Sequence, residues 1–148
     1  MPAWITAGFE EYARRMPAQA RVSLVEIRPG DRAGTGGAST VQRMLQVEQK
    51  RITYALPGGS SRVVMDERGT SFATRQLAAR IARWREAGRD VAFIIGGADG
   101  TAPALREDAD LLWSLSSLTL PHGLVRVVLA EQLYRAVSIL GNHPYHRE

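Results

Sequence analysis

Cysteine is absent from the 148 residues, which excludes a disulfide framework and any thiolate metal site. Histidine occurs only as His122, His143 and His146. That set is too small and too poorly spaced for a typical zinc site, so no metal is expected. No apolar run approaches the roughly 18 residues of a membrane-spanning helix. The start carries no signal-peptide pattern either, so the expectation is a cytoplasmic protein with no membrane contact. Lysine is almost missing: the chain carries 19 basic residues against 15 acidic ones, a net charge of +4, and every basic residue except Lys50 is arginine. A preference for arginine codons would produce this pattern. So would phosphate binding, which the guanidinium fork suits, and charge alone leaves both readings open.

What is present is a hydrophobic content of 45%, enough for one domain spanning residues 1–148 to bury a core. Pro2 suits a first helical turn, and Ile5, Phe9, Tyr12 and Met16 follow at helical spacing until Pro17. Arg21 to Ile27 reads as a strand, and the polar, glycine-rich stretch from Pro29 to Ser39 as a loop. A second helix runs from Val41 to about Leu56, and a short strand from Arg62 to Asp66. Thr74 is placed to cap a third helix, with Leu77, Ile81 and Trp84 inward and Gly88 as its stop. Asp90 to Ile95 is an apolar strand, Pro103 to Leu112 a short helix, Leu115 to Leu120 a last strand, and Leu124 to Leu140 a long helix. Helices alternating with strands that are apolar on both faces imply an α/β fold: a mostly parallel sheet with helices on both faces.

Several segments carry chemistry. Gly34-Thr35-Gly36-Gly37 resembles a phosphate cradle, but no strand feeds it and the Gly-Lys-Ser/Thr ending is missing. It reads better as a loop flanked by Arg28, Arg32 and Arg43 that can touch RNA backbone. The turn Gly96 to Gly100 leaves the carboxyl end of an apolar strand, where open α/β sheets bind ligands; a plain tight turn is the competing reading. Four hydroxyl residues (Ser114, Ser116, Ser117 and Thr119) lie near the same expected edge. The long helix is apolar around most of its circumference, and Glu131, Arg135 and Ser138 form its one polar stripe. Such a helix is buried on more than one side, and a homodimer interface is the natural second cover. The tail, residues 142–148, packs two histidines, a tyrosine and an arginine into seven positions.

The C-terminal third resembles the RlmH (YbeA) family of SPOUT-class methyltransferases. The resemblance rests on Trp113-Ser114-Leu115-Ser116, Thr119-Leu120-Pro121-His122, Leu124-Val125-Arg126, Ala130-Glu131, Leu133-Tyr134-Arg135-Ala136 and the ending Asn142-His143-Pro144-Tyr145-His146-Arg147-Glu148. The Ile95–Gly100 turn, Met65-Asp66 with Gly69, the helix from Gln76 to Trp84 and the opening Met1-Pro2-Ala3-Trp4 fit the same family. The resemblance implies a carboxyl end threaded into a trefoil knot, a feature too rare for periodicity to reveal. It implies methylation of N3 of a pseudouridine in 23S ribosomal RNA on the assembled ribosome, by a homodimer using S-adenosylmethionine. Carried over by position, the cofactor contacts are Met65, Gly97, Ser116, Ser117, Leu118, Thr119, Leu120 and Pro121.

For catalysis the tail supplies the candidates. His146 is assigned a proton-handling or base-orienting role, because imidazole exchanges protons near neutral pH. Tyr145 is expected to stack on the uracil ring. Arg147 and Arg135 are expected to hold phosphate or developing negative charge, and His122 is either a second candidate or a structural residue at a helix start. The family usually opens with a short strand before the first helix, which this sequence lacks, and Gly123 stands where proline is common, which is expected to loosen the turn. Two other functions compete: a non-catalytic RNA- or ribosome-binding dimer, and a SPOUT enzyme acting on transfer RNA.

Overall fold

The structure is a computed structural model that describes residues 1–30 and 37–147. The elements in chain order are α1 (Ala3–Ala13), a short 3-10 turn (Ala18–Ala20), α2 (Ala38–Ala55), β1 (Ser61–Thr70), α3 (Thr74–Glu86), β2 (Val91–Ile95), α4 (Pro103–Glu107), β3 (Leu111–Trp113) and α5 (His122–Leu140). The chain divides into two compact units. One holds Met1–Leu24, Ser71–Arg89 and Thr119–Glu148; the other holds Val25–Thr70 and Asp90–Leu118. Among the described residues no helix is long and apolar enough to cross a membrane.

The second unit is built on a three-stranded sheet of order β2-β1-β3, parallel throughout. Its apolar runs are continuous because the central strand has no wet face: Val63 and Val64 point to opposite sides and both are fully buried. On the Val64 side, Ile94 and Leu105 of α4 complete a core against which Ile52 and Leu56, at the end of α2, are packed.

The first unit is helical. α5 packs against both α1 and α3. The α1 contact is close because glycines face the neighbouring side chains. A Cβ on Gly8 would stand 3.1 Å from Val127 Cγ1, and one on Gly123 would stand 2.3 Å from Ile5 Cδ1. Gly123 is therefore buried inside the first turn of α5 and seats Ile5; it does not loosen a turn. α3 is capped not by Thr74 but at Ala73, whose N–H donates to Gln76 Oε1 at 2.6 Å. Thr74 is the first helical residue, and its hydroxyl donates to Gln132 Oε1 on α5 at 2.8 Å. Gly88 stops the helix with φ +66, a conformation that costs a residue without Cβ nothing.

Three further sequence expectations fail. Arg21 to Ile27 forms no strand: no described strand pairs with it, and an extended segment without a partner leaves its backbone to water. The helix from Pro103 ends at Glu107, and Leu111-Leu112-Trp113, expected as its last turn and the link beyond, is β3. Leu115 to Leu120, expected as the last strand, is loop. The glycine-rich stretch lies mostly outside the described residues, and α2 begins at Ala38 rather than Val41.

Candidate active site

Across the sheet Met65 is registered with Ile95 and with Trp113. Because the strands are parallel, the segments after Ile95 and Trp113 leave by the same edge as Met65. After Ile95 the chain turns tightly: Gly100 N–H donates to the Gly97 carbonyl at 3.0 Å, with Gly100 at φ +81. Gly97 is exposed, and nothing lies within 4 Å of where its Cβ would stand, so its backbone is open to a ligand. After Trp113 the buried Ser114 donates its N–H to the Thr70 carbonyl at 2.9 Å and its hydroxyl to the Ser116 carbonyl at 2.8 Å. Ser116 Oγ accepts the Leu118 N–H at 3.0 Å. Two of the four hydroxyls thus shape the loop that presents the edge, a local competition with strand structure that serine favours. Ser117 is exposed, and the Leu118 side chain is 71% exposed. Thr119, Leu120 and Pro121 carry the chain into the other unit, where Pro121 precedes α5.

Asp66, next to Met65, is committed to Arg68, whose Nε and Nη2 donate to it at 3.1 and 3.0 Å. That guanidinium holds the Asp66 carboxyl below its ordinary range. Two open depressions, of about 450 and 430 Å³, are lined by Arg68, Thr70, Arg106 and Leu111, and by Glu10, Arg14, Met16 and Arg21. Neither includes Gly97 or Leu118.

The other expected residues assemble on α5. The helix ends in a chain reversal: Asn142 takes φ 55, its N–H donates to Ile139, and the His143 N–H donates to the Ser138 carbonyl at 2.8 Å. The tail therefore runs back onto the polar stripe. Arg135 Nε and Nη2 donate to Glu131 Oε1 at 2.8 and 2.7 Å, and the Tyr145 hydroxyl donates to the same oxygen at 3.2 Å. Gln132 Nε2 donates to the other carboxylate oxygen at 2.8 Å, which extends the network to Thr74. Arg135 Nη1 faces His146 Nδ1 at 3.5 Å. The other ring nitrogen, Nε2, is shielded from solvent.

Tyr145 is held as well as near. The Arg135 guanidinium lies 4.7 Å over its ring, and Tyr134 meets it edge-on with centroids 4.7 Å apart. Arg147 and His122 are exposed. Ser138, the third member of the stripe, is not solvated; it is buried and donates to the Arg135 carbonyl at 2.6 Å.

Comparison with known proteins fixes the lineage. A family described as "Predicted SPOUT methyltransferase" matches residues 1–146. Proteins named "Ribosomal RNA large subunit methyltransferase H" from Burkholderia mallei (strain SAVP1) and Burkholderia pseudomallei (strain K96243) are each 56% identical over 147 residues, covering 99% of this chain and 92% of theirs. The chain belongs to the SPOUT methyltransferase family. The resemblance carried by the last third of the sequence is thereby borne out over nearly its whole length.

In this SPOUT methyltransferase the residue that sequence reasoning missed is Glu131. An acid four places before an arginine on a helix reads as an ordinary surface pair. The available signal was its position in the only polar stripe of an otherwise apolar helix. Tyr12 and Tyr134 were likewise read only as helix packing. They form an aromatic pair, centroids 6.4 Å apart, and Tyr134 also abuts Tyr145.

Burial, followed by the charge of Glu131, pushes the Tyr145 hydroxyl up from 10.0 to about 12. A raised folded pKa stabilises the fold below the unfolded value and loses that contribution as pH rises through the folded one, here from pH 10 to about 12. Absorbance titration is expected to show a tyrosinate step near pH 12 that Tyr145→Phe removes. Loss of amplitude near pH 10 instead would mean that the hydroxyl stands in water.

Proposed function

We propose that the chain methylates N3 of a pseudouridine in 23S ribosomal RNA of the assembled large subunit, with S-adenosylmethionine as donor. It works as a cytoplasmic homodimer whose carboxyl end is threaded into a trefoil knot. The observation that carries this reading is the tail, where Tyr145 and His146 turn back onto Glu131 and Arg135 in a chain 56% identical to proteins named for large-subunit ribosomal RNA methylation.

The sheet edge suits the donor. Gly97 leaves backbone accessible, Ser117 adds an exposed hydroxyl, and Met65 and Leu118 supply apolar surface for an adenine. Ser116, Thr119, Leu120 and Pro121 complete the expected set. The edge is open within one chain, which fits a site finished by a second copy, and the mostly apolar α5 fits the same arrangement.

When bound, S-adenosylmethionine supplies a methyl group already activated by its sulfonium, so placement and deprotonation are the tasks left to the chain. N3 of the base is a ring N–H flanked by two carbonyls, and its lone pair becomes nucleophilic as the proton leaves. His146, beside Arg135, takes the N3 proton or orients the base. Arg135 and Arg147 stabilise negative charge gathering on the base or hold a flanking phosphate. Tyr145 anchors the tail through Glu131.

The test is methyl transfer to ribosomes from labelled donor, with the product nucleoside identified by mass, alongside calorimetric titration of the donor. Absence of donor binding favours the non-catalytic module, and labelled transfer RNA favours the other enzyme. Gly97→Val sharpens the test. Nothing crowds that position, so the fold is expected to keep its stability within about 0.5 kcal/mol. Donor affinity is expected to fall roughly tenfold, since a clash in place of close backbone approach costs on the order of 1.4 kcal/mol. Unchanged affinity would remove Gly97 from the site.

A further inference from the structure

We propose that the outer face of α2, formed by Arg43, Val47, Lys50 and Tyr54, is a docking surface for single-stranded RNA beyond the nucleotide that is methylated. The proposal rests on the ribosomal RNA reading above and adds a binding surface to it. The four residues are spaced four, three and four apart, which sets them on one side of a helix. All four are exposed, Tyr54 by 94% and Val47 by 38%. Elsewhere on the helix the residues are packed: Thr40 and Met44 are buried, and Ile52, on the opposite side, packs against the core. The only carboxylate on α2, Glu48, is turned to other work, accepting the Gly30 N–H at 3.2 Å. Arg51 is also engaged, donating to the carbonyls of Arg28 and Pro29 at 2.7 and 2.8 Å. The outer face therefore presents cations and an aromatic ring with no acid among them.

Tyr54 is the feature that asks for a partner. The other three tyrosines (Tyr12, Tyr134 and Tyr145) share one aromatic cluster, so their rings are accounted for by packing. Tyr54 holds its ring in water. An exposed tyrosine at the end of a face that carries cations one and three turns before it has the chemistry of a stacking platform: the ring takes a base, and Lys50 and Arg43 take the phosphates that run back along the helix. Charge argues against a second copy as the occupant. A two-fold contact through this face would set the Arg43 and Lys50 of each copy against cations of the other with no carboxylate to separate them.

The test uses the full chain, large ribosomal subunits as substrate, and a fluorescein-labelled oligouridine as binding probe. Tyr54→Ala is expected to weaken oligouridine binding and raise KM for the subunits by roughly tenfold, as loss of one stacked base does. Tyr54→Phe keeps the ring and is expected to bind like wild type. Lys50→Glu is expected to weaken binding similarly and to lower the slope of log affinity against log salt by at least about one. In all three variants kcat and donor affinity are expected to match wild type. Wild-type binding and KM in both Tyr54→Ala and Lys50→Glu, in a protein that does methylate ribosomes, would overturn the RNA surface alone. Loss of dimer mass in sedimentation of Tyr54→Ala would overturn it in favour of self-association. A wild-type protein that neither binds oligouridine nor methylates ribosomes would overturn this proposal together with the functional reading beneath it.

Discussion

Replacing Glu131 by alanine is expected to lower methyl transfer by about a hundredfold while leaving the protein folded. One carboxylate oxygen receives both the Arg135 guanidinium and the Tyr145 hydroxyl, and the other receives Gln132. Removing it takes away the acceptor of the Tyr145 hydroxyl and the partner of Arg135, and so loosens the segment that carries His146 beside Arg135. Misplacement of a reacting partner by about 1 Å is enough for a loss of that size. The cost in stability is small, about 1 kcal/mol, because the pair is partly solvated, with side-chain exposures of 26% and 18%. Glu131 is a positioning residue, so its loss should also move a signal that simple destabilisation would not: the tyrosinate step near pH 12 should shift to lower pH. Glu131→Gln keeps an acceptor for Tyr145 but loses the ion pair, and an intermediate rate is expected. Wild-type turnover in Glu131→Ala would disconnect the tail from the reaction.

The second large effect concerns Gly69, and it is one of stability. A Cβ there would lie 2.5 Å from the Leu112 carbonyl carbon, 2.6 Å from its oxygen and 2.7 Å from the Trp113 nitrogen. All three are backbone atoms of β3, so no side-chain rotation relieves the clash. The register of β1 against β3 shifts between Met65 and Thr70, and the strand crosses its neighbour closely at this point. Gly69→Ala is expected to cost about 3 kcal/mol, the upper end for overpacking, which for a chain of this size is ~10 °C in Tm. Calorimetry against Gly97→Ala, where the added atom meets nothing, provides the comparison. A Gly69→Ala protein that melts with wild type would mean that β3 moves aside freely. Donor binding should fall with stability, because Ser114 to Leu118 continue directly from that strand.

Most of the architecture was legible because long apolar periods leave little choice. Ile5 and Phe9 in α1, Leu77 in α3 and the crowded faces of α5 read as helices and are helices. The apolar runs at Val63-Val64 and at Val91 to Ile95 read as parallel strands and are paired in that way. The region between α4 and α5 was misread for a physical reason. Leu111-Leu112-Trp113 is only three residues long and follows a helix, while Leu115 to Leu120 looks longer and more strand-like. The hydroxyls of Ser114 and Ser116 bond to nearby backbone and bend the chain, which local periodicity does not weigh. Arg21 to Ile27 reads as a strand from its apolar residues, yet a strand also needs a partner to pair with. The tail residues were found through resemblance and donor density. Their anchor was not, since a contact between Tyr145 and Glu131 depends on a chain reversal that only coordinates reveal.

That reversal at Asn142 has a mechanical consequence. The tail does not choose where on α5 it lies; the turn meters it, as a hairpin loop sets the phase of its two arms. Tyr145 reaches a carboxylate fourteen positions earlier because the count from the left-handed residue is right. A single residue added or removed between Asn142 and Tyr145 would dephase every tail contact at once while leaving each side chain intact. The spacing of this segment is therefore under tighter constraint than any one of its residues.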